Sequence, residues 1–141
     1  MQLHLLIRYI WAAPASAVGL LLASPALLVG AANIALNRGA LEVTLRARSL
    51  RASHRSHWLP FAAITFGHVV IAVGPDEQRL LRAHERVHVA QYERLGPLFL
   101  LAYPAESLLQ LMRGRRPYLD NRFELEARRL SEPSSSTASE A

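Results

Sequence analysis

The 141-residue chain contains no cysteine and no lysine. The first absence excludes disulfides and thiolate metal ligands, and it leaves the redox compartment open. Any transition metal would have to be held by imidazole and carboxylate. All 16 basic residues are arginine. Lysine serves as well on an ordinary surface, so this skew reads as base composition rather than function. Aromatic residues make up only 7% of the chain, and the net charge is +5 with a pI near 10.7. The arginines are scattered, with no recognition helix and no aromatic platform among them, so nucleic acid is not an expected partner. An anionic membrane is the other partner that a basic chain fits.

Charge is missing altogether from Tyr9 to Leu36. A helix needs about 20 apolar residues to cross a bilayer, and this run exceeds that. Pro14 and Pro25 are tolerated better in membrane helices than in soluble ones, and Tyr9 and Trp11 sit where interfacial aromatics are expected. A cleaved signal peptide is the rival, with Arg8 ahead of the apolar run and Ala15-Ser16-Ala17 as a cleavage site. The run continues well past that site, which favours an uncleaved anchor over residues 1–37; a buried core hairpin is the third reading. Arg38, Arg46, Arg48, Arg51 and Arg55 follow the run, against Arg8 before it. The positive-inside rule then places the remainder in the cytoplasm.

Asn37-Arg38-Gly39 is a turn signal. Leu41 to Ala47 alternates apolar and polar residues, as a half-buried strand does. Arg48 to Pro60 reads as a polar loop containing His54 and His57, and Ala62 to Val73 as a second strand that ends at Gly74-Pro75-Asp76. The two strands are expected to pair as an antiparallel hairpin. Asp76 or Glu77 then caps a helix that runs to Leu95, where Gly96-Pro97 stops it. Leu98 to Met112 is a second apolar stretch, followed by the basic turn Arg113-Gly114-Arg115-Arg116-Pro117. Leu119 to Leu130 reads as a final helix. Ser131 to Ala141 is serine-rich, and a disordered tail is expected there.

The chemistry centres on His84-Glu85-Arg86-Val87-His88. Two histidines four apart on a helix share one face and can grip one ion. Glu85 lies at the edge of that face, within reach of a water on the metal. H-E-x-x-H therefore supplies two ligands and a general base. This composition would produce the pattern in on the order of one chain in a hundred. A catalytic zinc keeps three protein ligands and an open position. Downstream, Glu106, Asp120, Glu124 and Glu126 are available carboxylates. Glu93, five residues past His88, is turned off the metal face.

Phe123-Glu124-Leu125-Glu126-Ala127-Arg128 resembles the E-x-x-A-D signature of gluzincins related to the membrane CAAX-prenyl protease and its heat-shock relatives. That resemblance implies Glu124 as the third ligand, with Arg128 standing where the family has Asp. A closer resemblance is to a small bacterial family of gluzincin-like, zinc metallopeptidase-like domains. Their pattern is a strand ending in Gly-His or Gly-Asn, then H-E-x-x-H-V-x-Q. It matches Ile64-Thr65-Phe66-Gly67-His68 and His84 to Gln91, and the likeness covers roughly Ala62 to Arg129. It implies that the strand beside the zinc helix pairs with peptide substrate and that His68 donates to the developing oxyanion. Tyr103 and Tyr118 are alternative donors. Gln91 and Tyr92 are expected to brace the helix or the ligands.

The expectation is thus an α+β protein with an N-terminal membrane helix, a β-hairpin, the zinc helix and C-terminal helices. The zincin-like domain would span 38–130. Its activity would be that of a membrane-anchored zinc peptidase of the bacterial inner membrane, acting on peptide or protein with Glu85 and His68 as catalytic residues. His84, His88 and Glu124 would hold Zn2+. Leu98–Met112 is expected to pack on the domain or lie in the membrane interface, with an ordinary core helix the preferred reading, because a crossing there would separate Glu124 from the two histidines. Two alternatives remain: a non-catalytic zinc-binding or vestigial scaffold protein, and an arginine-rich interfacial protein that works by lipid contact.

Overall fold

The computed structural model describes residues 2–46 and 62–132. The expected loop with His54 and His57, and the tail from residue 133, lie outside those residues. Helix α1 (Gln2–Leu28) is followed by strands β1 (Ala32–Asn37) and β2 (Ala40–Leu45). Strands β3 (Ala63–Phe66) and β4 (Val69–Ala72) come next. Helix α2 (Pro75–Leu95) leads through a short 3-10 turn, Gly96–Leu98, into α3 (Phe99–Met112), and α4 (Arg122–Ser131) closes the fold.

The fold class is α+β, but the strands are not the expected pair. The sheet has the order β1-β2-β4-β3. β1 and β2 form one antiparallel hairpin around Arg38-Gly39, and β3 and β4 form another around Gly67-His68. β2 and β4 meet in parallel, with Val43 opposite Ile71. The expected strand Ala62–Val73 is therefore two strands, and its pairing with Leu41–Leu45 is parallel rather than antiparallel. β1 also lies inside the segment read as anchor. Its residues are uncharged, like those of the helix before it from Tyr9 on, and Gly30 (φ 67°) marks the break between the two.

Strand alternation gives the sheet two faces. Val43, Val69 and Ile71 bury against Ala23 and Ala32, with Ile64 and Phe66 packed beside them, which places them towards α1. Val70 and Ala40 bury against Val89 of α2. α1 therefore packs on the sheet rather than standing apart from it. Small residues on one side let it approach closely. A Cβ on Gly19 would come within 2.9 Å of both the Phe66 and the Val69 Cβ atoms.

α2 starts at Pro75 with Gly74 as its N-cap, and no side chain caps it. Asp76 pairs with Arg79 instead of capping, and lies with Glu77 in the first turn. Gly96 ends the helix at φ 60°, a left-handed conformation suited to glycine, with its N–H donating to the Tyr92 carbonyl. Two helical stretches, Leu3–Leu28 and the run Pro75–Met112, are long and apolar enough to cross a membrane by length and composition. Signal sequences and the core helices of soluble proteins meet that criterion too. α3 is not the core helix expected of it, since only Phe99 and Gln110 are buried. Phe99 packs with Tyr92 and Phe123, while Leu101, Leu108, Leu111 and Met112 on the other side of α3 stay exposed.

Candidate metal centre

His84 and His88 stand one turn apart on α2, and α4 lies against that helix. Asn121 sets where α4 begins. Its Oδ1 caps the helix by accepting from the Phe123 N–H, and its side-chain amide donates to the Tyr103 carbonyl and Ser107 Oγ of α3. Glu124 then falls in the first turn of α4, buried and facing the histidines.

Three ligand atoms converge. His84 Nε2 lies 3.1 Å from His88 Nε2 and 3.1 Å from Glu124 Oε2, and His88 Nε2 lies 3.2 Å from Glu124 Oε1. Bonds of 2.0–2.1 Å in a tetrahedron imply ligand–ligand edges of about 3.3 Å, so the spacing fits a single ion. Glu124 is buried, with Oε2 facing His84 Nε2 and Oε1 facing His88 Nε2. A buried carboxylate turned on two imidazole nitrogens is a donor set that an ion would satisfy. The group His84, His88 and Glu124 can therefore hold a metal ion.

Neighbouring residues prepare the ligands. The Gln91 amide donates to the Phe123 carbonyl and to Glu126 Oε2, which turns its oxygen towards His88 Nδ1 at 2.8 Å. That oxygen accepts the Nδ1 proton and leaves the Nε2 lone pair facing the ion site. Arg94 holds Glu126 with two hydrogen bonds, tying α2 to α4. The acceptor that a family Asp at position 128 would supply is thus absent from that position. Gln91 supplies one, while the Arg128 guanidinium donates to the Leu119 carbonyl. Tyr103 donates to Glu124 Oε1 at 2.6 Å. Burial alone would raise the Glu124 carboxyl, but the two imidazoles and the Tyr103 hydroxyl turned on it outweigh burial and hold it well below the usual range. Burial would lower His88, but Glu124 and Gln91 reverse that and raise it.

Glu85 is buried, and Thr65 of β3 donates to its Oε2 at 2.7 Å. Burial raises its carboxyl above the ordinary value, while the neighbouring imidazoles and Thr65 pull it back. A buried carboxylate held by one hydroxyl beside the two imidazoles is placed to act as a base towards a group at the site. The Tyr118 side chain is half exposed, and its hydroxyl is pushed up to about 12 by burial and by Glu124.

His68 is not part of this group. It sits in the turn between β3 and β4, and its Nε2 lies 3.1 Å from Glu93 Oε1. Its ring stacks on Tyr9 at 4.1 Å, and Glu93 also pairs with Arg8 of α1. The strand ends at Phe66, two residues before His68, and His68 joins α1 to the end of α2. Of the other carboxylates, Asp120 pairs with Arg116, and Glu106 accepts from Gln110 and lies near Arg122. Thr65 had no signature in the sequence; its role needs β3 beside α2. A broad groove of about 680 Å³ lined by Arg38, Arg79, Arg82 and Arg86 runs along another face of α2. Most of its guanidinium groups are already engaged: Arg82 with Glu42, Arg86 with the Asn37 and Arg38 carbonyls, and Arg79 with Asp76.

No family model, curated protein or solved structure matches the chain. The likeness to gluzincin-like domains therefore rests on the residues quoted for it.

Proposed function

We propose that the protein is a membrane-associated zinc metallopeptidase. The observation that carries this reading is the convergence of His84, His88 and Glu124 beside a buried Glu85 whose carboxyl is raised. Two imidazoles and one carboxylate are a donor set that zinc favours, with a fourth position left open. Bound there, zinc supplies a water of lowered pKa and polarises the scissile carbonyl. Glu85 accepts the water proton and delivers it to the leaving amine, with Thr65 fixing its orientation. Among the described residues β3 is the edge of the sheet next to α2, and an extended peptide adds to it through backbone pairing. Tyr118 replaces His68 as the donor to the developing oxyanion.

A second reading is favoured by burial. The His88 and Glu124 side chains are only 8% and 3% exposed, as in closed structural sites. The two readings separate on one variant and the wild type. Glu85→Gln is expected to retain one zinc per chain and to lose peptide hydrolysis by roughly 10²-fold or more. Full activity in Glu85→Gln contradicts the mechanism. Zinc-loaded wild type that cleaves no member of a peptide library supports the structural reading.

A further inference from the structure

α1 is long and apolar enough to cross a bilayer, yet it is engaged along its length. Arg8 pairs with Glu93, Tyr9 donates to the Gly39 carbonyl, and Ser16 Oγ accepts from the His68 N–H. Gly19 abuts Phe66 and Val69, and Ala23 and Leu27 enter the sheet core. From Arg8 to Leu27 is about 28 Å of helix, nearly the ~30 Å of a hydrocarbon core. If α1 crossed a bilayer, the sheet would lie at the same depth. Behind it would come the Glu42–Arg82 ion pair that faces α2. Charged groups at that depth cost about 2.5–3.5 kcal/mol each on insertion scales, and an open sheet edge leaves backbone groups unsatisfied. In the intact fold these costs disfavour a crossing by α1.

The far side of α1 is nevertheless apolar. Leu3, Ile10, Leu21 and Leu28, opposite Ala12, Gly19 and Ala23 at 100° per residue, are 64–85% exposed. α3 shows the same division. Phe99 and Tyr103 turn inward, while Leu101, Leu108, Leu111 and Met112 stay exposed. α3 then runs into exposed Arg113, Arg115 and Arg116. An apolar helix face closed by three exposed arginines, of which Arg116 also pairs with Asp120, matches an anionic lipid surface in both parts. The start of α3 meets α1, where Gly96 is packed against the Trp11 ring.

We propose that the protein is monotopic. α1 and α3 lie on one leaflet of an anionic bilayer, with their outward leucines in the acyl boundary and Arg113, Arg115 and Arg116 among the headgroups. This refines the membrane association in the reading above and does not depend on the metal. Since Tyr103 on the inner side of α3 donates to Glu124, the lipid-facing helix is also a wall of the metal centre.

The cysteine-free chain makes the test direct. His4→Cys and Val29→Cys place single thiols at exposed positions near the two ends of α1. The full chain is expressed in a bacterial host, and right-side-out and inverted membrane vesicles are treated with a membrane-impermeant maleimide. Both thiols are expected to label in the same preparation. Labelling of one thiol in each preparation means a crossing and overturns the proposal. In flotation, purified protein is expected to bind phosphatidylglycerol-containing vesicles at least tenfold more tightly than phosphatidylcholine vesicles. Leu108→Asp with Leu111→Asp is expected to lose binding to both, and Arg113→Gln, Arg115→Gln and Arg116→Gln together to lose the anionic preference. Failure to float, or a lipid-free dimer that does not float, assigns the apolar face to no partner or to a second copy and overturns the proposal. Zinc content read in parallel keeps this outcome separate from the fate of the peptidase reading.

Discussion

The sheet is covered on one side by α1 and on the other by α2, and the two interfaces differ in chemistry. Towards α1 the contacts are mostly apolar and small: Ala23, Val43, Val69 and Ile71 around Gly19. Towards α2 a small apolar cluster of Ala40, Val70 and Val89 is joined by polar pairs: Glu42 with Arg82, Thr44 with Gln78, Thr65 with Glu85. The first interface specifies volume and is indifferent to rotation of any one group. The second specifies direction, because each hydrogen bond fixes where an oxygen points. The candidate chemistry sits on the second side, where Glu85 and His88 are held by partners.

The contrast can be broken at either interface. The largest effect is expected on the α1 side. Gly19→Leu forces a side chain into space already held by Phe66 and Val69, with an expected loss of about 1–3 kcal/mol or more in chemical denaturation. Zinc affinity of the fraction that remains folded should be unchanged, since no ligand rests on α1. A milder effect is expected on the α2 side, and it should appear in the ligand rather than in folding. Gln91→Leu removes the acceptor for His88 Nδ1 and is expected to weaken zinc binding roughly 10–100-fold in a competition titration. Unchanged affinity there would show that Gln91 packs without orienting the imidazole.

How much of this was legible in the sequence followed from how local each feature is. His84, Glu85 and His88 could be placed because a helix fixes which residues share a face within two turns. The end of α2 was equally local, written in Gly96-Pro97. Glu124 was not local. Several downstream carboxylates were open, and only the resemblance at Phe123–Arg128 singled it out; the structure brings it to the histidines. β3 and β4 were run together because both are apolar, although Gly67, at φ 60°, carries the signal of a two-residue turn. β1 was hidden in the uncharged run for the same reason of composition. The parallel pairing of β2 with β4 joins segments separated by residues 46–68, and no periodicity reports such a contact. The surroundings of His68 were hidden for the same reason. Once Gly67 turns the chain, the imidazole faces Glu93 and Tyr9, away from the role the resemblance gave it.

The most direct test is a zinc titration of the metal-free full-length protein by calorimetry, with X-ray absorption at the zinc edge on the loaded sample. The expected result is one zinc per chain, two imidazole nitrogens and a carboxylate oxygen at about 2.0–2.2 Å, and a large loss of affinity in Glu124→Gln. Absence of stoichiometric binding, or binding equally tight after His84 and His88 are both replaced by alanine, would contradict the account.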